Sequence, residues 1–350
     1  MKRNFTIFTQ KSFRFLGIAL FALLLVNCSK DDDPVTFEFD EFDDLSELPD
    51  VEDPDPEFTE PDLGAVEASV ETQAMFTDFE DGSGDLDDTS KNNLTAVGDF
   101  SATLTTNIDA EAQALDEAGI DAILSASELT GDQASLAAEL ETLPASVAGL
   151  FPTLVLSDDY NRAQEQMKAG IVINDLKLDL MSQSATGPCY DAALAAYTGA
   201  MAVPVETRDA QLAVVNTNYT TRVTAADTRY TSRLTLLNTA LDGNNVDIKA
   251  AALAILTYAT SIEGADADLA AKLKTFAFLY VVKTYTLLSE FKTEATSLLD
   301  DTKVTELASV ETIKTEKTQL IQSNFDDVKA EADAKLATAN GTCHNQGSGS

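Results

Sequence analysis

Leu212, Val215, Tyr219, Val223, Ala226, Tyr230, Leu234, Leu237 and Leu241 follow one another at gaps of 3, 4, 4, 3, 4, 4, 3 and 4. This is an 11-residue repeat, echoed in Tyr219-Thr220-Thr221-Arg222-Val223-Thr224 and Tyr230-Thr231-Ser232-Arg233-Leu234-Thr235. Three turns of about 3.67 residues close the repeat, so the apolar seam runs nearly straight along one face of a long helix.

Working outward, Ala185-Thr186-Gly187-Pro188 delivers the chain to Cys189, and the helix that follows is expected to kink or restart at Pro204. Asp242-Gly243-Asn244-Asn245 predicts a break, with helix resuming from Val246 to Ile262. After Glu263-Gly264 a second helix carries Leu269, Leu273, Phe276, Tyr280, Leu287, Phe291, Ala295 and Leu298 at helical spacing toward Asn340, where Gly341 is the expected stop. The two arms match in length, so a turn at Glu263-Gly264 folds them into an antiparallel hairpin. Each arm would be roughly 110 Å long if straight, unless the break at Asp242 folds the top back into a shorter bundle. Phe276-Ala277-Phe278-Leu279-Tyr280-Val281-Val282 is apolar all round the helix. One partner helix cannot cover that, so residues 91–156 or another molecule must. A further helix, capped by Ser157 or Asp158, is expected to reach about Ser184. The fold class is therefore all-α, a long helical hairpin or bundle over residues 157–342.

Upstream the composition changes. From Asp31 to Asn161, Lys91 is the one base among 36 acids, whereas from Arg162 to the end there are 17 bases and 23 acids. Residues 31–63 carry 16 acids and five prolines, which predicts a disordered acidic tether. Phe37, Phe39, Phe42, Leu45, Leu48 and Phe58 lie within it, either as a short linear motif or as spacer residues. Residues 64–156 read as short helices and loops: a helix from Ala65 to Phe76, breaks near Gly119, Gly131, Pro144 and Pro152, and room for a short strand at Thr103 to Thr106. The run Asp81-Gly82-Ser83-Gly84-Asp85-Leu86-Asp87-Asp88 opens like a calcium loop, but Leu86 stands where glycine is required and Asn92 where a bidentate Glu is required. It reads as a flexible acidic loop.

The N-terminus gives an address. Lys2, Arg3, Lys11 and Arg14 precede an apolar run from Phe15 to Val26 that is too short to span a membrane, so residues 1–27 read as a signal peptide. Leu25-Val26-Asn27-Cys28 resembles a lipobox, and Ser29-Lys30-Asp31-Asp32-Asp33 resembles the export signal of Bacteroidota surface lipoproteins. The resemblance covers about thirty residues. It implies cleavage before Cys28, lipidation of Cys28, and attachment to the outer membrane at the cell surface through several acyl chains. Cleavage there leaves 19 bases against 59 acids, a net charge of −40.

With Cys28 lipidated and the body exported into oxidising surroundings, Cys189 and Cys343 are left to pair. That disulfide sets a register, with Arg222 opposite Val310 near Glu311 and Arg233 opposite Leu299 near Asp300. Arg222, Arg229 and Arg233 share a helix face, and acids on the returning arm are expected to neutralise them.

Chemistry is sparse. His344 is the single histidine and falls in the expected polar tail of residues 343–350, so no triad base or zinc ligand set is evident. No metal or other cofactor is expected, and the acidity disfavours nucleic acid as a partner. The expected function is a non-enzymatic surface lipoprotein, anchored in the outer membrane, presenting a helical body to another protein or to a second copy. The alternative is a nutrient- or glycan-binding lipoprotein.

Overall fold

A computed structural model describes residues 36–80, 86–160 and 187–345. The expected signal peptide, Cys28 and the export segment Ser29 to Asp33 lie outside the described residues, as do residues 81–85 of the acidic loop, most of the helix expected to end near Ser184, and the last five residues.

The fold is an all-α helical hairpin. In chain order come β1 (Ala65–Glu67), α1 (Val70–Glu80), α2 (Asp88–Ser101), α3 (Asp109–Gln113), α4 (Glu117–Leu124), α5 (Asp132–Glu139), α6 (Ala145–Ala148), β2 (Thr153–Val155), α7 (Pro188–Ile262) and α8 (Ala267–Asn345). The chain divides into two compact units. Among the described residues the smaller gathers 36–46, 187–202 and 329–345; the larger holds 47–80, 86–160 and 203–328.

The 11-residue repeat extends far beyond the stretch that announced it. On α7 it buries Ala193, Pro204, Val215, Ala226, Leu237, Ile248 and Ala259, and on α8 Ala277, Leu288, Leu299, Val310, Ile321, Ala332 and Cys343. This periodicity explains two departures from expectation. α7 runs unbroken through Asp242-Gly243-Asn244-Asn245 because Leu241 and Ile248 on either side stay buried in the seam. A mid-helix glycine costs only about 1 kcal/mol relative to alanine, which two buried aliphatic side chains outweigh. Nor does α7 restart at Pro204, which occupies a buried seam position. At the far end, α8 passes Gly341 and continues to Asn345. Its last turns are held by buried Ala339 and by the disulfide at Cys343, so Cys343 and His344 belong to the helix and not to a tail.

The apolar run Phe276 to Val282 is wholly buried, and the first of the two coverings anticipated for it is the one found. Met75, Leu94, Val97, Ile120, Leu136, Leu140 and Phe151 from α1 to α6 and their connections join it in one core with the α7 residues Ile255 and Ala259. Phe151 meets Phe276 edge-on at 6.0 Å. Tyr285 donates to the Ala126 carbonyl (2.9 Å), and Lys249 reaches Glu117 and Asp121 (2.9 and 2.8 Å), fastening α4 to the long helices.

Local chemistry corrects the reading of residues 64–156. Ala65 begins a strand, not a helix, pairing antiparallel with β2 in the register Ala65–Val155. Gly64 leads into it at φ +71°, and a Cβ there would sit 2.0 Å from the Val155 carbonyl oxygen, so only glycine fits. Gly119 does not break a helix. Asp116 caps α4 by accepting from the Gly119 amide (2.9 Å), placing the glycine in the first turn. Thr103 to Thr106 form no strand; the Glu139 carboxylate accepts the amides and hydroxyls of Thr105 and Thr106 at 2.7–3.0 Å. Those donors, the Thr106 hydroxyl first, hold the Glu139 carboxyl down at about 2. Because the folded value is depressed, this contribution is complete above the usual 4.5 and is lost as pH falls toward 2. An NMR titration should find the Glu139 midpoint well below that of the other carboxyls, and Glu139→Gln should remove this acid-sensitive component.

Candidate interaction surface

The expected disordered tether is instead a strap over residues 36–63, bound to the hairpin at discrete points. In the smaller unit, Asp40–Phe42 form a 3-10 turn that presses Phe42 between Ala193 and Ala339, edge-on to Tyr197 at 6.3 Å. Lys335 bonds Asp44, and Glu331 accepts from the Ser46 amide (3.3 Å). Cys189 and Cys343 form the expected disulfide, with Cα atoms 5.7 Å apart.

In the larger unit the strap follows the 11-residue repeat. Gln211, Arg222 and Arg233 stand one residue before the seam positions Leu212, Val223 and Leu234. Gln211 donates to the Pro49 carbonyl (3.0 Å). Arg222 spreads over the Asp53 and Asp55 carboxylates (2.7 and 2.9 Å) and the carbonyls of Asp53 and Pro54, while Asn218 also donates to Asp53. Arg233 takes Glu60 (2.6 Å), and Arg229 lies 4.6 Å over the Phe58 ring. The apolar residues of the strap thus serve the fold, with Phe42 and Leu48 buried, and not a free linear motif.

The expected register holds, and an acid of the returning arm, Glu306, does neutralise Arg229 and Arg233, but the residues expected opposite Arg222 and Arg233 are not their partners. Tyr197 donates to Asp333 and Tyr230 to Asp300, the Glu311 carboxylate pushes the Tyr219 phenol pKa up, and Arg208 stacks over Phe325, each pair within one turn of the assigned position. Arg222, however, is neutralised by the strap and not by Glu311. Arg233 is shared between Glu60 on the strap and Glu306 on α8, in place of Asp300. The signal for this was present, since polar residues repeat at 11 beside the seam; the acids of the strap lie some 170 residues away in sequence.

No family model matches the chain, and no curated protein or solved structure matches it either. Among the described residues no helix is long and apolar enough to cross a membrane, and no group of His, Cys, Asp or Glu is arranged to hold a metal ion.

What α7 leaves open is a low-charge stripe. Between Ala210 and Ala240 its exposed positions are Thr, Ala, Asn, Val, Ser and Leu, with Asp227 the one charged residue among them, and Asp227 is held by Lys303 at 2.8 Å. The threonine hydroxyls along it donate to carbonyls four residues back, as Thr224, Thr228, Thr231 and Thr235 do at 2.9 Å, leaving methyl groups outward.

The strap makes a testable prediction. Arg222→Ala should free residues 47–63, seen as rapid amide hydrogen exchange there, with little change in the melting of the helices. Asp53, its side chain 4% exposed beside Arg222, is not trapped by the mutation, because it leaves with the strap. Acid should act similarly. The Arg233 hydrogen bond holds Glu60 below its usual 4.5, and the Lys335 hydrogen bond holds Asp44 below 3.8. Their attachment is complete above those values and is lost as pH falls through the lowered ones. Undiminished protection of the strap in Arg222→Ala would show that its apolar contacts suffice.

Proposed function

We propose that the chain is a lipoprotein, anchored through Cys28 in the outer membrane at the cell surface, whose role is to present its hairpin to another protein without catalysis. The observation that carries this is the low-charge stripe of α7. On a chain of net charge −36, most approaching protein surfaces meet repulsion or strongly hydrated carboxylates, whereas this stripe desolvates at little cost. The disulfide supports an oxidising compartment, consistent with export.

Two experiments separate address from role. Cys28→Ala should release the protein from the membrane, and protease applied to intact cells should remove it; full protection would exclude the surface. A photo-crosslinking residue at Thr224 or Thr228 should capture a discrete protein on intact cells, and one at the α8 position Glu316 should not. Equal capture at both, or none at Thr224 and Thr228, would sink the proposed contact face.

A further inference from the structure

Where β1, α1, α7 and α8 meet, the larger unit holds a cleft of about 440 Å³, within the size range of small-molecule sites. Its walls are apolar, built from Val66, Phe76, Pro152, Ile248, Ala251 and Leu288. Five polar side chains line it; Thr284 donates to the Tyr280 carbonyl (2.7 Å), while Gln73, Asn244, Asp247 and Tyr280 make no side-chain hydrogen bond to the protein among the described residues. Tyr280 is the decisive one. Its side chain is packed against Phe76 and Phe276 with ring centroids 6.3 and 6.0 Å away, and the residue is 5% exposed. Its ring is buried, but its hydroxyl opens to the cleft without a partner among the described residues, so water or a ligand satisfies it there. Burial first, and then the nearby Asp247 carboxylate, push its pKa up to about 12, so it remains a neutral donor.

The charge of the cleft selects its ligand. Among the described residues Asp247 is the one charged residue in the lining and no base lines it, and the whole chain is strongly acidic, so an anion is repelled and a cation drawn in. We propose that this cleft binds a small protonated amine with an apolar body: the ammonium lies against Asp247 and the amide oxygens of Gln73 and Asn244, and the apolar body against Phe76 and the aliphatic wall. The site is independent of the contact face on α7.

Isothermal titration of the full chain with phenethylamine, its neutral analogue 2-phenylethanol and the anion 3-phenylpropionate tests this. Phenethylamine should bind about tenfold or more tightly than the alcohol, the gain of a charge-assisted hydrogen bond, and the anion should not bind. Asp247→Asn, at an exposed position where folding is not at risk, should reduce amine affinity to that of the alcohol. Ala251→Phe should fill the cleft and abolish binding of both, with an unchanged circular dichroism spectrum as the check on folding. Equal binding of amine and alcohol, an amine affinity untouched by Asp247→Asn, or no binding of either compound would overturn the proposal.

Discussion

Reduction of the Cys189–Cys343 disulfide, or Cys343→Ser, is expected to lower stability by about 5 kcal/mol, the largest effect of any single change to the described residues. The two cysteines are separated by 154 residues, and the entropy that such a closure removes from the unfolded chain grows with the logarithm of the loop. Little else can replace it locally. The buried apolar cluster near the cysteines is Phe42, Ala193 and Ala339, two of them alanines that bury little surface. Thermal melting in the presence of reductant should therefore shift downward, and amide exchange should accelerate first in residues 188–202 and 329–345. Identical melting and exchange with and without reductant would show that packing alone holds the helix ends.

Glu306→Ala is expected to cost about 3–5 kcal/mol, as for other buried charges robbed of a partner. Glu306 is 3% exposed and accepts from Arg229 at 2.7 and 3.0 Å and from Arg233 at 2.8 Å. Its removal leaves Arg233, also buried, with Glu60 alone. The contrast with Arg222 is instructive. The acids facing Arg222 sit on a strap that can detach, which limits the cost, whereas Glu306 sits on α8 and its loss leaves Arg233, with its side chain 6% exposed, inside the hairpin; Arg229, at 29%, keeps a path to water. Glu306→Leu combined with Arg233→Met should recover most of the loss, because a matched apolar pair needs no neutralisation. Urea denaturation measures both; a loss below about 1 kcal/mol in the single variant would show that water reaches the guanidinium groups.

The hairpin was legible because a helical seam is written locally: Leu212 to Leu241 state the period, and the two arms and the turn at Glu263-Gly264 follow from it. The cysteine pairing was equally legible, being a matter of counting once Cys28 is assigned to lipid. The strap was misread for the opposite reason. Judged by its own composition, a stretch with 16 acids and no base cannot order itself, and what orders it are Arg222, Arg233 and Lys335, remote in sequence. The break expected at Asp242 failed because backbone preference is a weak term beside the burial of Leu241 and Ile248. The cleft around Tyr280 had no local signature at all, since Gln73, Asn244, Asp247 and Tyr280 come from three helices.

The 11-residue spacing of buried positions makes arm length a freely adjustable quantity. Inserting 11 residues into α7 and 11 into the facing part of α8 would return every seam residue to the same side and every cross-arm partner to the same height, at a gain of about 16 Å per insertion. An insertion of seven would instead rotate the seam away from its partner by about an eleventh of a turn, because seven residues at about 3.67 per turn fall short of two turns. Duplicating one short block in each arm would thus change arm length while keeping the seam, the cross-arm pairs and the Cys189–Cys343 disulfide in register.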